Sequence, residues 1–327
     1  MEHLRDSTNP CVSDVRGVIR QPEPRVSVPT TSVGGVTVTP QRGLVRRPAT
    51  ADAFTTRRHP AGEELAPWIA YFWTVTWDRG DADPLESTVI SFPAMHLTVE
   101  WGEAGTVRHG HPLPATLVHG LITRVFRVTL TGRGGVAGVR FRPDGFHAWT
   151  GLDVAGLTDS VVPAGDLLGS AVGSLHNGLG PDTDPAGPLE RLRTELERCR
   201  PTAATNGVGP VVDLMATDPG LVRVDQVARS VALSERTLQR RFRREVGIGP
   251  KWVLCRFRLQ EAALALERDP QVDLGALAPQ LGFYDQAHLT NTFVEMLGET
   301  PSAYAARAAA GRSTAVPVES ASPRARR

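Results

Sequence analysis

Cysteine is scarce in this chain. Its three copies, Cys11, Cys199 and Cys255, lie far apart in 327 residues. That spacing points away from a disulfide framework or a thiolate metal site and toward reduced thiols in a cytoplasm. Cys199 and Cys255 have arginine neighbours (Arg198, Arg200 and Arg256), which can lower a thiol pKa, but incidental thiols are the expectation. Lysine is scarcer still: Lys251 is the only one among 36 basic residues. With 32 glycines and 26 prolines, this reads as a GC-rich coding bias. Charge of one sign is also missing, since the net charge is +1; the chain as a whole is no polyanion binder, and its charge distribution matters more. No apolar run reaches about 18 residues, so no membrane span is expected. Met1 to Gln21 is polar and lacks the apolar core of a secretory signal.

Catalytic signatures are missing too. No Gly-x-Ser-x-Gly elbow, phosphate loop or dinucleotide glycine motif occurs. No catalytic residue, enzyme activity or cofactor is therefore expected. His109-Gly110-His111 is the only metal-like pair. No carboxylate follows it in Pro112–Thr116, so no metal site is expected unless the fold gathers His96, His119 or His147 to it.

What is present divides the chain. Its length suits about two domains. Residues 1–52, rich in Pro, Thr, Ser, Val and Arg, read as a disordered leader. Residues 53–180 read as a β-rich regulatory domain. The aromatic, β-branched run Pro67–Trp77 is strand-like, as are Ser87–Phe92, His96–Trp101, Ala115–His119, Thr123–Leu130 and Gly135–Phe141. A short helix follows Arg142-Pro143-Asp144-Gly145, with further helices at Ala164–Ser174 and Pro188–Cys199. The latter sits between Pro/Gly/Thr-rich stretches, so residues 181–206 read as a linker with a helix. Residues 207–308 are helical throughout, and 309–327 read as a disordered tail.

The helical region contains an internal repeat. Leu238, Phe242, Gly247 and Pro250 recur 51 residues later as Leu289, Phe293, Gly298 and Pro301. Each Leu–Phe pair lies at i and i+4, on one helix face. Ser234 and Asp285 stand where N-caps belong. The glycines stop the helices, and the prolines suit the first turn of the next. Short amphipathic segments, Val224–Ser230 and Leu274–Gln280, precede the two units. Helix, tight turn, helix is the arrangement that lays its second helix in the DNA major groove.

The faces opposite the apolar pairs differ. Arg236, Gln239, Arg240 and Arg243 point outward on the first reader helix. Arg suits guanine O6 and N7, and Gln suits adenine N6 and N7. Arg244 and Lys251 are placed to grip the DNA backbone. Arg236–Arg258 holds eight basic residues and one acid, Glu245, for about +7. The second unit presents Gln286, Ala287, Thr290 and Asn291. Glu267–Glu299 holds six acids and one base, about −5, which phosphates repel. The first unit is therefore expected to supply most of the affinity.

These residues resemble the AraC family of bacterial transcription regulators over about residues 207–307. The run Gly282-Phe283-Tyr284-Asp285-Gln286-Ala287-His288-Leu289, with Phe293, Gly298-Glu299-Thr300-Pro301 and Tyr304, carries the resemblance. It implies an α+β two-domain chain: a β-rich N-terminal sensor or dimerisation domain and an all-α C-terminal domain, whose two helix-turn-helix units are joined by one long helix, Pro250–Glu267. It implies base reading by Arg236, Gln239 and Arg240 in the first unit, and by Gln286, Ala287 and Asn291 in the second. Asn291 departs from the family's usual Arg or Lys, and Ala287 cannot hydrogen-bond to a base. Double-stranded DNA is the implied partner, with RNA polymerase, and with a small-molecule effector, a second copy or a protein at the front domain. Phe92–Glu100 and Gly138–Phe146 resemble a β-rich front domain found in AraC-like regulators of uncharacterised specificity. An aromatic-lined front cavity would favour a ligand-controlled regulator. A solid domain with an exposed apolar patch would favour control by oligomerisation. A converged histidine cluster with an open position would favour an enzyme-like barrel.

Overall fold

The computed structural model describes residues 54–89, 92–202 and 206–313. The expected leader 1–52, Cys11 and the tail beyond Ser313 lie outside the described residues, as does part of the expected strand Ser87–Phe92. The front strands are β1 Thr55–Pro60, β2 Ile69–Asp78, β3 Leu85–Val89, β4 His96–Gly102, β5 Val107–Arg108, β6 His111–Pro112, β7 Ala115–His119, β8 Phe126–Leu130, β9 Arg133–Phe141 and β10 Val161–Pro163. Six of them form an antiparallel sheet in the order β1-β2-β9-β4-β7-β10. β3 pairs with β8, and β5 with β6, as separate ribbons.

The two-residue strand period sorts this sheet into two faces. Phe72, Leu97, Val99, Val118, Ala137, Val139 and Phe141 point to one side and are fully buried. They pack against α1 Gly145–Thr150, α2 Gly165–Gly173 and α3 Ala186–Arg198, through Phe146, Trp149, Leu168, Val172, Leu192 and Leu196. Tyr71, Trp73, Val75, His96, Thr98, Glu100 and Arg140 alternate with them and line a cavity on the other side. The Trp73 ring occupies the space beside Gly138, where an added Cβ would stand 2.5 Å from it.

The helix expected within a linker instead joins the front core. α3 packs on the front sheet, with Leu192, Leu196 and the following Cys199 fully buried. Its Leu189-Leu192-Leu196 stripe needs an apolar partner, and each such burial is worth about 1.5–3 kcal/mol. The proline-rich flanks end the helix without detaching it.

The C-terminal domain is all-helical: α4 Gly209–Thr217, α5 Val224–Ser230, α6 Glu235–Val246, α7 Pro250–Arg268, α8 Leu274–Gln280, α9 Gln286–Leu297 and α10 Pro301–Ser313. α10 thus runs past 308, where the tail was expected to begin. α7 joins two cores. Val253, Leu254 and Phe257 pack with Leu238 and Phe242, while Leu259, Ala262, Ala263 and Leu266 pack with Leu289 and Phe293.

Candidate nucleic-acid interface and front cavity

The repeat becomes two matched reader helices. Ser234 Oγ accepts from Thr237 N at 3.2 Å and starts α6. The Asp285 carboxylate accepts from His288 N at 2.7 Å and starts α9. Gly247 (φ 94°) and Gly298 (φ 78°) end them in the left-handed region that favours glycine. Leu238, Phe242, Leu289 and Phe293 are all fully buried. On α6, Arg236, Gln239, Arg240 and Arg243 are exposed together, and Lys251 is exposed at the start of α7. On α9, Gln286, Ala287 and Asn291 are exposed and Thr290 is half-buried.

The charge expectation for the first unit needs correction. Three of its eight arginines and lysines are buried: Arg241, Arg256 and Arg258. Arg241 donates to Glu245 at 2.8 Å and to Asn206 O at 2.7 Å. Arg258 donates to Met215 O and Asp218 O, at 3.2 and 2.9 Å, and pairs with Glu261. Burial pulls the Arg256 guanidinium down to about 10. These three and the equally buried Glu245 hold the fold, which leaves Arg236, Arg240, Arg243, Arg244 and Lys251, or +5, toward solvent. Arg244, expected on the DNA backbone, is half-buried; its Nη2 donates to His147 Nε2 of α1 at 3.4 Å. In the second unit most acids serve the scaffold. Asp273 caps α8, Asp285 caps α9, Asp269 accepts from Gln271 N, Glu267 accepts from Tyr304 and Glu299 pairs with Arg307.

The front domain grips both units. Asp144 accepts from Gly209 N at 2.9 Å, and Arg142 pairs with Asp213 at 2.9 Å. Thr158 Oγ1 donates to Gly247 O, the C-cap of α6, at 2.7 Å. Val125, between β7 and β8, lies against Gly298, the C-cap of α9.

The cavity has a volume of about 190 Å³. Its walls include the aromatic rings of Phe54, Tyr71, Trp73, Trp77, Phe92 and Phe126. Arg140 is wedged between the Tyr71 and Phe92 rings, at 4.5 and 4.4 Å from their centroids. Its buried Nε has no hydrogen-bond partner among the described residues, and burial lowers its pKa.

At one wall the fold gathers polar groups that the sequence leaves scattered. Glu100 is buried on β4; Arg108 Nη1 donates to its Oε2 at 3.0 Å. His119 Nε2 lies 3.1 Å from Glu100 Oε1, and Thr98 Oγ1 donates to the same oxygen at 2.8 Å. His109 Nε2 stands 4.0 Å from it. Burial raises the Glu100 carboxyl, but the His119 hydrogen bond and the His119, Arg108 and His109 charges outweigh it and hold the group below the ordinary carboxylate range. Burial pushes His109 down to about 4. His111 does not join His109 here; its Nε2 lies 3.2 Å from Val161 O. The carboxylate at this site, Glu100, precedes both histidines in sequence and comes from another strand, β4. The available signal was the strand alternation that puts His96, Thr98 and Glu100 on one face. Cys199 is buried in the front core, and burial pushes the Cys255 thiol up to about 11, away from the thiolate a redox sensor needs.

A β-rich front domain thus carries a cavity and holds a tandem helix-turn-helix domain. Residues 227–307 match a family described as a helix-turn-helix domain. Residues 57–163 match a domain of unknown function (DUF6597). A curated protein of Streptomyces antibioticus, described as an AraC-like transcription regulator, is 35% identical over 122 residues. That match covers 35% of this chain and 40% of the relative, so it spans less than half of that protein's length. Among solved structures, ToxT from Vibrio cholerae aligns over 78% of this chain and 98% of its own, at 10% identity and a TM-score of 0.33. A structure of unsaturated fatty acid bound wild-type ToxT aligns over 78% and 95%, at 10% identity and a TM-score of 0.32. The helices of residues 227–307 thus match a helix-turn-helix family, and the curated relative that part of the chain resembles is described as AraC-like.

Proposed function

We propose that this chain is a sequence-specific transcription regulator that reads the DNA major groove chiefly through α6. The observation that carries this is the joint exposure of Arg236, Gln239, Arg240 and Arg243 on a helix whose opposite face is locked by Leu238 and Phe242. Such side chains at the exposed face of a helix-turn-helix reader suit base edges and flanking phosphates. Lys251 adds a backbone grip at the start of α7, and Ser234 sits at the reader's N-terminus, where phosphates dock. Gln286, Ala287, Thr290 and Asn291 read a second groove more weakly. In this reading the protein works in the cytoplasm, and RNA polymerase is its downstream partner.

The front domain is the control element, with an effector held in the aromatic cavity. An apolar body would fill the space among Tyr71, Trp73 and Phe126, and a hydrogen-bond acceptor would satisfy the Arg140 Nε. Selection of bound duplexes from a random pool by the full chain tests the DNA reading. The expected result is a defined site from which Arg240→Ala removes about 1–3 kcal/mol and relaxes one base position. Unchanged affinity for that site would overturn the assignment.

A further inference from the structure

We infer that Glu100, His109 and His119 form a binding site for a divalent first-row transition cation, with an open coordination position facing the front cavity. Each residue offers one ligand atom, and the three atoms lie within 4.8 Å of one another. Around an ion with ligand bonds of about 2.0–2.2 Å, tetrahedral ligand atoms stand roughly 3.5 Å apart. Glu100 Oε1 and His119 Nε2, at 3.1 Å, already have about that spacing. His109 Nε2, at 4.0 Å from the same oxygen, stands about 0.5 Å beyond that spacing.

The three residues come from three places. β4 supplies Glu100, β7 supplies His119, and the tight β5–β6 turn supplies His109, whose φ of 52° is rare for a residue with a side chain. The turn aims the imidazole at Glu100, and Phe126 stacks on it with centroids 5.0 Å apart. Arg108, donating to Glu100 Oε2 at 3.0 Å, is a partner of the kind that orients a metal ligand. Thr98 Oγ1 bonds both facing atoms, donating to Glu100 Oε1 at 2.8 Å and lying 2.9 Å from His119 Nε2, so a bound cation would replace these hydrogen bonds.

The rival description is a buried ion-pair network of Glu100 with Arg108 and His119. It gives His109 no hydrogen bond to Glu100, since 4.0 Å is beyond reach. A cation does use His109. Two imidazoles and one carboxylate suit zinc, iron, cobalt or nickel and suit magnesium or calcium poorly. Three protein ligands leave a position open, and His109, His119 and Glu100 all line the cavity. The inference goes beyond the effector reading, and it needs neither DNA nor an effector to be tested.

The experiment titrates the full chain, stripped with chelator, with Co²⁺ followed by visible absorption and with Zn²⁺ followed by calorimetry. The expected result is one equivalent of either ion and intense visible bands from a site of low coordination number. Glu100→Gln and His119→Ala should abolish both signals. Because these two residues are buried and paired, the decisive variant is His109→Ala, at the cavity rim, with circular dichroism confirming its fold. It should weaken binding by tenfold or more, whereas His111→Ala should bind like the parent. No stoichiometric binding by the parent, or binding by His109→Ala equal to the parent's, would overturn the inference. Those outcomes leave DNA selection by α6 untouched, so failure here and failure of the DNA reading are separate results.

Discussion

α6 and α9 have the same length, the same apolar pair and the same glycine stop, yet they present different chemistry to solvent. α6 shows three arginines and a glutamine. α9 shows Gln286, Ala287 and Asn291. Their attachments differ as well. α6 is bonded to the front domain through Thr158 and Arg244, while α9 meets it at an apolar contact with Val125. A duplicated scaffold can therefore keep its packing rules and change its reading rules, because buried and exposed positions of one helix respond to different demands.

The largest expected effect probes what the two units share. Phe242→Ala and Phe293→Ala each empty a fully buried aromatic site, and each should cost about 3–5 kcal/mol. Denaturant unfolding of the full chain measures it. A loss at one site several times that at the other would break the equivalence of the two cores.

The next effect probes what they do not share. Arg243→Gln on α6 should lower the salt slope of DNA binding by about one, as expected for a phosphate contact. Thr290→Ala and Asn291→Ala on α9 should leave that slope unchanged. Affinity measured from low to physiological salt decides this. Equal losses from both helices would erase the asymmetry, and a second reader as strong as the first would replace it.

Much of this comparison was legible in the sequence because it is local. Caps, i and i+4 pairs and glycine stops lie within a few residues of one another, so spacing alone places them. The arginine count misled for a reason that was equally local. Leu238, Arg241, Phe242 and Glu245 stand at i, i+3, i+4 and i+7, a buried stripe, and Arg241 with Glu245 forms an i,i+4 ion pair inside it. The cavity was hidden for a different reason. Glu100, His109 and His119 meet only once β4 pairs with β7 and the β5–β6 turn folds over them. The proline-rich flanks of α3 suggest a linker, whereas its Leu189-Leu192-Leu196 face fixes it on the front core.

The smallest effect separates folding from reading at the start of α6. Ser234 Oγ caps the helix, and it stands where a phosphate would meet the helix N-terminus. Ser234→Ala should cost about 1 kcal/mol of stability, whereas Ser234→Gly should cost only a few tenths, roughly, because glycine is tolerated as an N-cap. Asp285→Ala on α9 should cost about as much as Ser234→Ala, since its carboxylate makes the same bond to a first-turn amide. DNA affinity need not follow stability. If Ser234 touches phosphate, Ser234→Gly and Ser234→Ala lose affinity together despite their different stabilities. If affinity tracks stability instead, Ser234 acts on the reader helix alone, and the DNA contacts of α6 begin at Arg236.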